Sequence, residues 1–463
     1  MRVIPFHPFL VLTLCCGAIA SATILPPSSP AALLYLDPGT GSLIFSAIAG
    51  IAGTAYFVVR DLAYRVGTRL GMLASPRGMR RNEDEATVVL FSEGAQYEAT
   101  FGPLIEQLAA RKLPCLYLTN DADDPLLGLE DDTRYPLFSA ECIGNGHMAW
   151  ARLRTLRARV VCMTTPGLDV MQVRRSPHVQ HYMHVIHSPT DKSFNRPYSF
   201  DFFDSVVISG PHQARVIRAL EALRGRPHKA LHTTGCLYYD RLAPRYAEAA
   251  LRRDQAPDKA PTVLLAPTWG RNGLLARCGE ALIDALASAG MQVIIRPHPQ
   301  SLRSEQALID ALRRVTDAQP GFRWDLGRDP VDAMAASDIL VSDISGIVFD
   351  FAFLTGRPVL TMDLPVDKRG FEAMDLEFEP WEIEMLDVIG RRIDLSDLPH
   401  LGQIVAAELA DPERAARIAH TRHHYVANFG AASAPTADVI ARAAGAPATE
   451  NASASPTART VSA

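Results

Sequence analysis

Twice along this chain, short apolar β-rich runs alternate with helical runs, and a polar interval separates the two sets. In the first set, residues 87–91, 115–119, 159–163, 182–187 and 205–209 read as strands, and 97–111 and 211–223 as helices. In the second, 262–266, 292–296, 339–342 and 358–362 read as strands, and 276–288, 304–315 and 347–354 as helices. Uniformly apolar strands between helices belong to a parallel sheet covered on both faces. Two such sets predict an α/β protein of two Rossmann-like domains facing a cleft, over 84–242 and 260–430. A chain of 463 residues holds two such domains plus appendages. The stretch 243–259 is polar and helix-compatible. Residues 404–428 read as helical with a break at Asp411-Pro412, and are expected to pack back across the first domain. The Ala-, Ser-, Thr- and Pro-rich stretch 431–463 predicts a disordered tail.

The N-terminus reads as a membrane device. Residues 8–20 form an apolar run of signal-peptide length, and Ala20-Ser21-Ala22 offers a cleavage site. An uncleaved first membrane segment over 1–25 is the alternative. Residues 41–59 are apolar and uncharged. At 1.5 Å per residue they can cross a hydrocarbon core of about 30 Å. Ser46, Ala49, Gly50 and Gly53 give small-residue spacing that allows close helix packing. Arg60, Arg65, Arg69, Arg77, Arg80 and Arg81 follow, so the positive-inside rule places the rest of the chain in the cytoplasm, at the inner membrane. A buried hairpin of a soluble protein is the competing reading.

The net charge of -5 argues against a polyanion binder, and no nucleic-acid partner is expected. The seven cysteines have neither zinc-site nor redox-pair spacing, and most lie in apolar stretches. No carboxylate pair sits beside a His cluster, so neither a metal nor another cofactor is expected. The basic stretch His420, Arg422, His423 and His424 reads as a solvated helix face.

Four stretches carry chemistry. The run Ser342-Asp343-Ile344-Ser345-Gly346 joins a strand to a helix. Ser345 suits an N-cap, and Gly346 lets a ligand approach the backbone. The free N–H groups and positive dipole end of that helix would cradle phosphate; an ordinary capped turn is the plain alternative. Arg296-Pro297-His298-Pro299 follows another strand of the same domain. Its prolines fix the loop, Arg296 can fork onto phosphate and His298 can donate to it; a salt-bridged Arg and a satisfied His at a strand end are the plain alternative. Thr268 and Arg271 of Ala266-Pro267-Thr268-Trp269-Gly270-Arg271 could border the same ligand, and Trp269 could stack or simply pack, packing being the favoured reading. In the first domain, alternation puts Val185 and His187 on one strand face, and His184 and Ile186 on the other. His187 ends the strand toward the cleft, where a neutral imidazole can activate an alcohol. Lys192 could hold substrate phosphate.

These residues resemble the CDP-glycerol glycerophosphotransferase family, the teichoic-acid primases and polymerases, from about Ser92 to Phe429. Arg296–Pro299 and the run from Ser342 to Phe351 carry most of the likeness; Ala266–Arg271, the strand leading to His187, and Gly235 with Asp240 add to it, and Ser92-Glu93-Gly94 with Tyr97 resembles a subgroup whose members carry such an N-terminal anchor. The resemblance implies a GT-B fold with the donor bound mainly by the C-terminal domain. It implies attack of an acceptor hydroxyl on the β-phosphorus of a CDP-alcohol, with release of CMP. His187 and His298 would be catalytic. Arg296, Ser342, Asp343, Ser345, Gly346, Thr268 and Arg271 would face the donor phosphates, and Lys192 and Glu93 the lipid-linked or polymer acceptor. The sequence departs from the pattern twice: Ser188 follows His187 where the family usually has Gly, and Gly346 replaces the second of a paired Ser. A nucleotide-sugar transferase and a non-catalytic binding scaffold are the rival readings, and a homo-oligomer is left open.

Overall fold

The computed structural model describes residues 87–254, 261–317, 319–327 and 329–446. The segments expected at 1–25 and 41–59 lie outside the described residues, as does 447–463. Among the described residues, no helix is long and apolar enough to cross a membrane.

The first lobe is a seven-stranded parallel sheet of order β3-β2-β1-β4-β5-β6-β7. Its strands are β1 Val88–Ser92, β2 Cys115–Thr119, β3 Phe138–Cys142, β4 Ala158–Met163, β5 Val179–Val185, β6 Ser205–Ile208 and β7 Ala230–Thr233. The second lobe has β8 Thr262–Leu265, β9 Gln292–Ile295, β10 Phe322–Trp324, β11 Ile339–Ser342, β12 Val359–Met362 and β13 Gly390–Ile393. Its order, β10-β9-β8-β11-β12-β13, repeats the first and is parallel throughout. The two expected Rossmann-like units are therefore present. Each order reverses beside its first strand, between β1 and β4 and between β8 and β11, which is where open α/β sheets bind ligands.

Central strands such as β1, β8 and β11 are buried along their whole length. Amphipathic helices cover them. In Leu274–Ser288, Leu274, Leu275, Cys278, Leu282, Ile283 and Leu286 recur at helical spacing and fill one core with Val263, Leu265 and Val293. The helix Gly346–Thr355 is apolar nearly all round because it is packed on several sides, against sheet, neighbouring helices and Trp381. Gly356, at φ 69°, ends it in the left-handed conformation.

The end of the chain corrects the expected tail. Helices Leu401–Leu409 and Arg414–Tyr425 flank the break at Asp411-Pro412, as read. The chain then returns to the first lobe, where the Ala427 N–H donates to Ser209 O at 2.9 Å. There Gly235 has φ 113°, and a Cβ on it would lie 2.2 Å from Ala427 O, so only glycine fits. Residues of the supposed tail form the helix Ser433–Ala443. Ala437, Val439 and Ile440 pack with Phe101, Leu104 and Ile105. The Asp240 carboxylate accepts the Ala432 and Ser433 N–H groups at 2.8 and 2.7 Å. Composition misled here because small residues make little apolar signal, yet they allow close packing.

Candidate functional site

The second-lobe half of the site lies at the ends of β8, β9 and β11. Ser342 and Asp343 do not face a ligand. Ser342 is fully buried, and its Oγ donates to Ala266 O at 2.7 Å. The Asp343 carboxylate accepts the Thr268 N–H at 2.7 Å and the Leu274 N–H at 2.8 Å. Burial raises its pKa and those two bonds oppose the rise. Both residues staple the β8 loop to the β11 turn, which corrects their expected phosphate contact: their polar atoms are spent inside the protein.

What the staple leaves open is the helix N-terminus. Ser345 sits at the N-cap in an extended conformation, and its side chain caps nothing. A Cβ placed on Gly346 would meet nothing within 4 Å. Ile344, Ser345 and Gly346 are half-exposed. A ten-residue helix thus presents its orphan N–H groups, a free hydroxyl and its positive dipole end at the switch point.

His298 is half-buried, and its Nδ1 accepts the Gln300 N–H at 3.1 Å. The neutral ring therefore carries its proton on Nε2, free to donate. Desolvation lowers its pKa, opposed by Glu305. Its ring centroid lies 6.4 Å from that of Trp269, which is half-exposed and so not the buried packing residue expected. Thr268 is half-buried and Arg271 exposed in the same loop. Arg296 follows the ion-paired alternative, not the phosphate reading. Its Nη1 donates to Asp325 Oδ2 at 2.5 Å, and the residue is buried. It fixes the loop after β9 rather than presenting a free fork.

The first-lobe half surrounds His187, two residues past the end of β5. The alternation holds: Val185 joins the core with Leu90 and Tyr117, and Ile186 joins the opposite one. His184 stacks in the interior, 4.9 and 5.0 Å from the rings of Phe200 and Phe203, and burial pulls its pKa down to about 3. His187 packs edge-on to Tyr97, with centroids 5.0 Å apart. Its Nδ1 is buried without a hydrogen-bond partner. Burial first, then the nearby Lys192 and His184, hold it well below the usual histidine pKa, so it stands as a neutral base. Glu93 is exposed at the mouth, and crowding of its carboxyl raises its pKa against the effect of the Thr165 hydroxyl. Desolvation and Glu93 push the Tyr97 phenol up to about 12.

Lys192 is half-buried. Desolvation lowers the pKa of its ammonium, and the fields of Glu382, Cys236, Asp191 and Asp350 oppose the fall. Asp350 and Glu382 come from the second lobe, and burial raises each to about 8. Tyr238 and Tyr239 both donate to Asp350 Oδ1, the latter at 2.9 Å. None of Asp191, Glu382, Asp350, Tyr238 or Tyr239 was singled out from sequence. Asp350 alone left a signal, as the one charge in the apolar helix sequence GIVFDFAFLT. Of the stretch read as a solvated face, His420, His423 and His424 are exposed, whereas Arg422 is half-buried and its Nη1 donates to Phe353 O at 2.7 Å.

Residues 172–380 match the family model described as CDP-Glycerol:Poly(glycerophosphate) glycerophosphotransferase. That span includes every candidate residue except Glu93. Among solved structures, the chain is similar to the wall teichoic acid polymerase TagF, at 16% identity and a TM-score of 0.53, covering 85% of this chain and 98% of that one. A variant of that polymerase soaked with CDPG gives 14% identity, a TM-score of 0.51 and the same coverages. A putative UDP-N-acetylglucosamine 2-epimerase from Listeria monocytogenes gives 12% identity and a TM-score of 0.52, over 77% of this chain and 96% of that one. At these identities the likeness is one of fold: two parallel-sheet α/β lobes of the GT-B kind. By sequence, no curated protein matches. The family resemblance read from the motifs is borne out by the family match.

Proposed function

We propose that this CDP-glycerol glycerophosphotransferase-like transferase moves a glycerophosphate-like phospho-alcohol group from a CDP-activated donor to a hydroxyl of a lipid-linked or polymer acceptor in cell-envelope synthesis, releasing CMP. One observation carries the reading. The helix with the open N-terminus bears Phe349, stacked on Trp381 with centroids 4.6 Å apart, and the Trp381 N–H donates to Asp191 Oδ2 of the loop after His187 at 2.8 Å. An anion cradle of the second lobe and a neutral base of the first therefore border one junction.

The acceptor oxygen attacks the donor's β-phosphorus. The new P–O bond forms as the bond from that phosphorus to the bridging oxygen breaks, and CMP leaves with the bridging oxygen. His187 takes the acceptor proton. The N–H groups from Gly346 onward, the Ser345 hydroxyl and His298 Nε2–H hold the phosphate charge as it shifts to the leaving group. Thr268 and Arg271 border the donor, and Glu93 faces acceptor hydroxyls at the mouth. The apolar 41–59 segment and the arginines after it support an inner-membrane location with the lobes facing the cytoplasm, beside a lipid-borne acceptor.

The test is CMP release by detergent-solubilised protein given CDP-glycerol, CDP-ribitol or nucleotide-sugars with membrane lipid as acceptor. CMP from one CDP-alcohol, lost in His187→Ala and His298→Ala, is the expected result. Turnover of a nucleotide-sugar alone would overturn it.

A further inference from the structure

We infer that Arg224 and Glu372 are positioning residues: their buried ion pair latches a strap of the second lobe, residues 363–380, onto the loop that follows His187, so that the base is set only when the lobes are latched. The inference rests on the proposed transfer and adds to it what holds the base against the donor.

From Ile186 to Asp204 the chain forms no helix or strand. The polar groups of its backbone must therefore find partners outside any regular ladder. The first lobe supplies some: Gln213 Nε2 donates to Ser188 O and Thr190 O at 3.0 and 2.8 Å. The second lobe supplies others. The Trp381 N–H donates to Asp191 Oδ2 at 2.8 Å. The Ala373 and Glu372 N–H groups donate to Ser193 O and Asn195 O at 2.7 and 2.9 Å. In return, the Ser199 N–H donates to Glu372 Oε1 at 3.2 Å. Phe371 meets Phe194 edge-on, with centroids 5.9 Å apart. Within the loop, Lys192 and Tyr198 take φ 69° and 66°, left-handed conformations that a residue with a Cβ holds only where its surroundings impose them.

The anchor of the strap is ionic. Glu372 is only 1% exposed, and its carboxylate accepts from both Nη atoms of Arg224, the residue that ends the first-lobe helix Pro211–Leu223. The same guanidinium donates to Asp201 Oδ1 at 2.8 Å and to Asp375 Oδ2 at 3.3 Å, and it lies over the Tyr198 ring at 4.3 Å. One cation thus joins the loop, the helix and the strap. A buried carboxylate that loses its cation is costly, so the strap holds when fully seated and not by halves. Its other end gives the tie a direction. The strap leaves β12, which lies beside β11 with Thr361 opposite Ser342, and β11 runs into the helix whose N-terminus takes the donor phosphates. It therefore crosses from the strand beside the donor cradle to the loop of the base.

The experiment uses the full chain in detergent, with CDP-glycerol as donor probe, membrane lipid as acceptor and CMP release as the rate. Hydrogen exchange of the Glu372 and Ala373 amides reads the latch directly. In Arg224→Met those amides should exchange at least about tenfold faster. The kcat should fall at least about tenfold while the Kd for CDP-glycerol stays within about threefold, because the donor cradle is built wholly by the second lobe. Glu372→Gln keeps an acceptor for the Ser199 N–H and leaves Arg224 paired with Asp201. It should show the same split in smaller measure, and it serves if Arg224→Met fails to fold. Added to His187→Ala, Glu372→Gln should change the residual CMP release by less than about twofold, since it acts through His187. An unchanged kcat in the folded variants, amides that stay protected, or a Kd raised about tenfold in place of a lower kcat would each overturn the inference. So would a full further loss in the His187→Ala background, the mark of a role in packing alone. Wild-type protein that neither binds nor turns over CDP-glycerol would sink the transfer reading and the catalytic half of the inference with it, whereas amide exchange, which needs no substrate, would still decide whether the pair latches the strap.

Discussion

The two lobes share one strand order and differ at the same topological point. In the second lobe, the strand beside the switch, β11, runs at once into the helix Gly346–Thr355. In the first, the equivalent strand β4 runs into an irregular loop, 164–178, with no helix before β5. The second lobe therefore presents a dipole end and free N–H groups where its sheet opens. The first lobe presents side chains there: Thr164 and Thr165, whose buried hydroxyls complete no hydrogen bond of normal geometry, with Glu93 and Tyr97 beside them. One fold thus gives two chemistries. Backbone donors suit an anion whatever its ester, whereas side chains suit a hydroxyl and its proton.

The largest expected effect separates the lobes by kinetic constant. His187→Ala should reduce kcat about 10³-fold and leave the Kd for CDP-glycerol unchanged, by turnover and calorimetry. A raised Kd instead would break the division of labour.

Gly346→Asp is the converse. It should weaken CDP-glycerol binding at least about tenfold by placing a carboxylate where phosphate belongs. Its Cβ meets nothing within 4 Å, and an acid at a helix N-terminus is stabilising, so Tm should hold or rise slightly. Loss of both binding and stability would mean that the helix end is structural.

Asp343→Ala should cost about 2–4 kcal/mol in chemical denaturation, because two inward N–H groups lose their acceptor. Donor affinity should fall with it as the β8 loop loosens. Full stability in this variant would remove the staple from the account.

The smallest effect is a slope. Buried His184 stays neutral down to about pH 3 when folded, but titrates near 6.5 when unfolded. Its folded pKa is depressed, so its contribution is present above pH 6.5 and is lost as pH falls toward 3, at up to about 1.4 kcal/mol per pH unit. His184→Phe should flatten that part of the stability profile. An unchanged slope would mean that His184 becomes solvated when charged.

Much of the architecture was legible. All nine strands expected from sequence are present, within a few residues at their ends. The four that were missed, β3, β7, β10 and β13, are the four sheet edges. Edge strands are wetted along one side and need no continuous apolar run: GRRI and FRW carry charge in the middle. The site divides in the same way. His187, His298, Ser345 and Gly346 stand where strand ends and helix starts put them, and strand ends are local facts. Ser342 and Asp343 were misassigned, and Arg296 follows the ion-paired alternative, because each is spent on a partner distant in sequence.

The sequence by itself determined the two parallel sheets, the points where they open and the residue types at those points, because apolar period and capping chemistry are set within a few neighbours. Only the tertiary structure decided which polar groups stay free. Asp325 neutralises Arg296, and Asp343 is consumed by two backbone donors. The reason is physical: a buried polar group must find a partner, and across two lobes that partner can lie anywhere in the chain.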